Sequence, residues 1–340
     1  MGALAIALPY VVFVWWFSTG AVLLLVGLSS HHGALLKLGS LALFSAALLG
    51  IIASSQDVNA AGTYCAFTCA ILLWGAVETS LLSGWITGPR PEPCPRGCTA
   101  AGRVGYALQA IAYHELALMG SAGLVFAVTA GAPNRLSWWT FAALLVLRQS
   151  AKINLFLGVR TLNDELLPAQ VRFMRSYFAR KPMNALFPLS VTAATSAAVF
   201  IAGTAITATS AFDELAFSLL AVLVGLGALE HWFMVMPVPV IDLWRWSAPA
   251  GPVLPVAIAT EPVLRPVLSV ISGGAASGEP SAQSAAASAR QRLEDQFRKA
   301  YREREARGEA PQTAPDLAAV GVAPSAIPVN QSRIAEGRVP

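Results

Sequence analysis

Charge is what this sequence has least of: Asp, Glu, Lys and Arg together make up 12% of its 340 residues, while 55% are apolar. An ordinary soluble globular domain carries about twice that charged share, so the balance excludes one. Long polar stretches are missing before the C-terminal third. Apolar runs recur instead from residue 5 to residue 236, each near the roughly 20 residues that a helix needs to cross hydrocarbon. The first run has neither a basic n-region nor a small-residue cleavage site, and it reads as a retained helix. Gly-rich phosphate loops and internal repeats are absent too. Cysteines number four: Cys65 and Cys69 inside an apolar run, Cys94 and Cys98 in a Pro-rich loop with no second ligand pair to complete a zinc site. The net charge of +4 does not imply nucleic acid, because the basic residues lie in loops and tail flanking apolar spans.

The fold class this predicts is all-α: a polytopic membrane bundle of about seven transmembrane helices near residues 5–28, 35–54, 63–86, 102–129, 136–157, 187–208 and 214–236. One set of alternate loops and helix ends holds Lys37, Arg90, Arg96, Arg103, Arg160, Arg172, Arg175, Arg180, Lys181 and Arg245, whereas the opposite set holds only Arg135. Basic loops stay cytoplasmic, which predicts a periplasmic N-terminus and a cytoplasmic C-terminus in a bacterial inner membrane. Cys94 and Cys98 are then cytoplasmic thiols. His31 and His32 fall in the first loop. In the longest loop, Phe173, Met174, Tyr177 and Phe178 share one helical face, as in an interfacial helix or an amphipathic connector packed on the bundle. The bundle spans 1–246. Residues 247–340 turn to Pro, Ala, Gly and Ser, a largely disordered tail in which 290–308 is a charged helix candidate.

The informative residues are those that do not belong in lipid, where an ionisable side chain costs roughly 2.5–3.5 kcal/mol on insertion scales. Glu78 lies in the third span, His114 and Glu115 in the fourth, Arg148 and Lys152 with Asn154 in the fifth, and Glu230 and His231 in the seventh. Counted from the cytoplasmic ends, the ionisable groups share one depth. Three readings stay open. A polar network that fixes helix packing needs no ligand. A tetrapyrrole such as bacteriochlorophyll would take His114 or His231 as axial ligand, each preceded four residues earlier by a small residue, Ala110 and Gly227. An iron enzyme would draw on Glu78, His114, Glu115, Glu230 and His231, yet the adjacent pairs His114-Glu115 and Glu230-His231 diverge by about 100°, unlike the Glu-x-x-His ligand pair.

Several longer strings carry a resemblance. Trp85-Ile-Thr-Gly-Pro-Arg90 with Cys94-Pro95, Tyr113-His-Glu-Leu-Ala-Leu118, Arg148-Gln-Ser-Ala-Lys-Ile-Asn-Leu-Phe-Leu-Gly-Val159, Asn184-Ala-Leu-Phe-Pro-Leu-Ser190 and Leu229-Glu-His-Trp-Phe233 occur in one order. The segment 74–246 resembles the PuhE-type photosynthetic-complex assembly proteins of purple and related phototrophic bacteria. The resemblance implies a membrane assembly factor for the reaction centre and light-harvesting complex, or one governing bacteriochlorophyll supply, in the intracytoplasmic membrane. Its implied partners are photosystem subunits or bacteriochlorophyll-synthesis enzymes. It brings no catalytic residue with it. The rival from another class is an enzyme of tetrapyrrole or quinone metabolism.

Overall fold

Apolar runs of 21 to 30 residues have one way to satisfy their own backbone in hydrocarbon, and each becomes a helix. A computed structural model describes residues 2–247 except 163, 165 and 166, and the side chains at 28–32 and 241 also lie outside the description. The charged segment expected at 290–308 lies outside the described residues, as does the rest of the tail. In chain order the helices are α1 (Ala3–Ser54), α2 (Ala60–Leu82), α3 (Ala100–Thr129), α4 (Leu136–Leu157), α5 (Leu186–Ile206) and α6 (Ala211–Phe233). Seven stretches are long and apolar enough to cross a membrane, because α1 supplies two, Ala3–Gly27 and Gly33–Ser54. No strand forms among the described residues beyond an isolated bridge between Val159 and Arg180.

The two arms of α1 correct one expectation. Helical hydrogen bonding runs through 29–32, where a loop around His31 and His32 was predicted. A straight helix of 52 residues would reach about 78 Å. Yet Tyr10 in the first arm hydrogen-bonds Thr68, while Gly50 in the second lies against Cys69, the next residue of α2. The chain therefore doubles back between the arms, and both rest on the same turn of α2.

Asn59, Thr99 and Ser210 each accept a backbone N–H in the first turn of α2, α3 and α6, which sets where those helices begin. The first arm of α1 packs with α2, α4 and α6 around Phe67 and Leu219, both fully buried. The second arm packs with α2, α3 and α4 around Ile51, Leu118 and Phe141. Leucines, valines and Phe200 on the outer faces stay exposed, as suits helices bathed in acyl chains.

The loops divide into two sides. Those at 55–59, 130–135 and 207–210 are short, and Asn134 ties two of them together: its amide donates to the carbonyls of Ser54, Asp57 and Gly62, and its oxygen accepts from Leu136 N–H. The opposite loops are long and basic and hold one another. Arg90 donates to the Tyr177 hydroxyl, which donates to the Glu92 carbonyl, and Ser176 Oγ accepts from Cys94 N–H. The segment expected as an amphipathic α-helix is a 3₁₀ helix, Ala169–Tyr177. Its buried stripe is therefore Val171, Met174 and Tyr177 at every third residue, the first two clustered with Leu81 and Ile111.

Between α2 and α3 the chain crosses the backbone of α3 itself. Arg90 N–H donates to Gln109 O, and His114 N–H donates to Thr87 O at 2.9 Å. At the crossing stands Gly88, where a Cβ would overlap Gln109 O and the Ala110–Ile111 peptide. Backbone cannot yield as a side chain can, so Gly88→Ala should lower stability by about 1–3 kcal/mol. Gly105→Ala, with nothing within 4 Å of its added methyl, should not. Thermal unfolding of both variants in mild detergent checks this, and equal midpoints would refute the crossing.

Candidate polar core of the bundle

Helix α4 carries Arg148, Gln149, Ser150, Lys152 and Asn154 within seven residues. Successive residues turn about 100°, so these side chains leave the helix in different directions. Taking Arg148 as zero, Lys152 and Gln149 point about 40° and 100° round, and Ser150 and Asn154 about 200° and 240°. The partners follow that fan. Arg148 Nη2 donates to Glu78 Oε2 of α2 at 2.9 Å, and Lys152 Nζ and Gln149 Nε2 donate to the two oxygens of Glu115 on α3 at 2.5 and 2.6 Å. On the other side, Ser150 meets His231 Nε2 of α6 at 2.8 Å, and Asn154 Nδ2 donates to Ser190 Oγ of α5 at 3.0 Å.

All the sequence-predicted residues except Glu230 therefore converge on α4 or its direct partners. Arg148 and Lys152, expected on one face, serve neighbouring helices. Glu230 is held apart, its Oε1 accepting from the indole N–H of Trp15 in the first arm of α1. His114 is fully buried, with Nε2 at 3.8 Å from Glu78 Oε1. That is too long for a hydrogen bond, and neither ring nitrogen has a hydrogen-bond partner among the described residues.

The geometry can be set against each cofactor. The room beside His231 that a macrocycle would need is taken, since a Cβ on Gly227 would run into the Leu147 side chain. Both His231 nitrogens are engaged, Nδ1 lying 2.7 Å from Gly227 O. Next to His114, the surface over Ala110 is covered by the Gly88 crossing. Neither histidine fits an axial ligand of a tetrapyrrole. Among the described residues no three His, Cys, Asp or Glu side chains converge as a metal-ligand set, so the donors named for iron do not form one site.

One partner was not anticipated: Asn184, 8% exposed, precedes α5. Its amide donates to Asn154 Oδ1 and to the Asn154 and Gly158 carbonyls, and its oxygen accepts from the N–H groups of Leu186 and Phe187. It closes the end of α4 and opens α5 with one side chain. An Asn just ahead of an apolar run is a helix-start signal, and Asn134 before α4 is the same device.

A family model described as a protein of unknown function, DUF3623, matches residues 1–253. The chain belongs to the DUF3623 family. The match takes in every described helix and leaves 254–340 outside. A Rhodobacter capsulatus family relative, described as an uncharacterized 30.4 kDa protein in the puhA 5′ region, is 36% identical over 245 residues, covering 70% of this chain and 89% of that protein. No solved structure matches.

Two measurements probe this core and the loop beside it. Arg148→Ala leaves the Glu78 carboxylate unpaired. Because the Arg148 side chain is 40% exposed, the loss should be about 2–3 kcal/mol rather than the roughly 3–5 of a fully buried pair. The double variant Glu78→Leu/Arg148→Met should recover most of it, and thermal midpoints in detergent that fail to recover would count against pairing as the role of Arg148. In the 83–99 loop, Cys94 and Cys98 place their sulfurs 2.7 Å apart. The hydrogen bond with Cys98, then burial, raises the Cys94 thiol above its ordinary range, against the pull of Arg103 and Arg90. Thiolate therefore appears later as pH rises. Alkylation of the Cys94 peptide, followed by mass spectrometry, should still be accelerating with pH where that of an unstructured control thiol has levelled off, and coincident profiles would refute the shift.

Proposed function

We propose that this protein is an integral membrane assembly factor for the bacterial photosynthetic reaction centre and light-harvesting complex, acting through protein surfaces rather than through a cofactor held by its histidines. The observation that carries the proposal is that both cations of the polar core are spent on carboxylates of neighbouring helices. Arg148 and Lys152 of α4 are ion-paired to Glu78 and Glu115, as suits a rigid scaffold. The resemblance to PuhE-type proteins and the naming of the Rhodobacter capsulatus relative by its place beside puhA both point to photosynthetic-complex assembly. The charge asymmetry of the loops supports a cytoplasmic placement of the basic side. The clasp of the 83–99 loop on Ala169–Tyr177 then offers photosystem subunits or bacteriochlorophyll-synthesis enzymes a preformed basic surface. Governing bacteriochlorophyll supply, on this reading, is regulation of such an enzyme by contact.

A deletion strain of a phototrophic host provides the test. Loss of the protein should lower the yield of assembled complexes, read from membrane absorption spectra, without accumulation of one discrete tetrapyrrole intermediate. The Glu78→Leu/Arg148→Met variant should restore that yield, because the pair holds helices together and does no chemistry. Accumulation of a single intermediate, relieved by the parent protein but not by this variant, would instead favour an enzyme of tetrapyrrole metabolism.

A further inference from the structure

The two arms of α1 do not close on each other near their turn. They stand astride α2 and leave a cavity of about 620 Å³, bordered by Phe17 and Leu25 of the first arm, Leu35 and Leu43 of the second, and Ile71 and Leu72 of α2. Two glycines in its wall, Gly39 and Gly75, have nothing within 4 Å of where a side chain would start. Three hydroxyl residues border it: Thr79 donates to Gly75 O, Ser18 donates to Trp15 O, and Ser40 is the third. The space is thus apolar in effect and made by small residues.

Its dimensions restrict the occupant. On each helix the lining spans eight residue steps, Phe17 to Leu25, Leu35 to Leu43 and Ile71 to Thr79, a depth of roughly 12 Å. That is close to the ~15 Å of a single leaflet's hydrocarbon. Spread over this depth, the volume gives a cross-section of about 50 Å², a width that hydrocarbon chains fill. The cavity borders include Phe17, Leu25 and Leu35, all exposed, so it communicates with the surrounding bilayer. Lys37 is the one charged residue in the first 56. It lies on the turn-proximal part of the second arm, 5.6 Å over the Trp85 ring, with no carboxylate paired to it among the described residues. A lysine on an aromatic ring at a helix end is an interfacial cation.

We propose that this cleft is a specific site for one anionic phospholipid of the basic-side leaflet, its acyl chains between the arms of α1 and its headgroup at Lys37. The lipid wedges the arms apart and completes the packing of α1 on α2.

The full chain, purified in mild detergent, is weighed by native mass spectrometry and its bound lipid extracted. One phospholipid per chain is expected. After delipidation and exchange into nanodiscs, phosphatidylglycerol should be retained over phosphatidylcholine by about fivefold, the contribution of one lysine near an anionic headgroup. Lys37→Gln, a surface change, should reduce that preference to about onefold while lipid is still held. Gly75→Leu and Gly39→Leu, on different helices, should each expel the lipid while circular dichroism keeps its helical signal. The proposal is overturned by a parent protein that retains no phospholipid, by an isoprenoid compound in its place, by a preference unchanged in Lys37→Gln, or by either filled variant, folded, holding lipid as the parent does.

Discussion

The Arg148–Glu78 pair and its neighbour Lys152–Glu115 are the constraint from which the lateral order of the helices follows. Each of these four groups, left alone in hydrocarbon, costs roughly 2.5–3.5 kcal/mol. An interhelical hydrogen bond such as Ser150 to His231 contributes about 0.6 kcal/mol on average. The ion pairs therefore outweigh the hydrogen bonds in deciding which helices meet. Any arrangement that separated α4 from α2 or α3 would expose two charges at once, whereas separating α4 from α5 would cost mainly the Asn154–Ser190 and Asn184 contacts.

The rest of the bundle arranges itself around that decision. The ionisable side chains of α4 occupy its half nearest the basic loops, while toward the other end Leu136 and Phe141 join apolar clusters, with Ser137 and Thr140 buried beside them. On the side with short connections, one asparagine gathers the chain ends. The basic side, with longer connections, is built from crossings and clasps: the Gly88 contact with α3, the Arg90–Tyr177–Glu92 chain, and the 3₁₀ segment under Leu81. Gly88, Arg148, Asn184 and His231, each in one of the longer strings quoted from the sequence, all make contacts between separate segments in this half of the bundle.

What was legible in the sequence was whatever depends on one helix at a time. Span lengths and a common depth for the ionisable residues need only hydropathy and a rise per residue, and the span lengths agree with the helices observed. Partner choice was not legible, because it depends on which helices are neighbours. Arg148 and Lys152 look like one face by spacing, yet 40° is enough to send them to different helices. The small residues before His114 and His231 looked like room for a ring, and they receive the Gly88 backbone and the Leu147 side chain instead. At Ala169–Tyr177 a period of three rather than 3.6 keeps Met174 and Tyr177 of the expected face buried and puts Val171 in place of Phe173 and Phe178. The Gly, Ser and His composition around 27–33 has the look of a loop, and no pattern rule separates a loop from a reversal that keeps its helical bonds.

That reversal bears on how the protein is made. Both arms of α1 are laid down before Thr68 and Cys69, the turn of α2 on which they settle, has been synthesised. During that interval the N-terminal hairpin has only membrane for company, with an open seam down its middle. The first surface it settles on arrives with the third crossing and the rest with later ones, so biogenesis has a built-in order in which this pair of spans waits for the next.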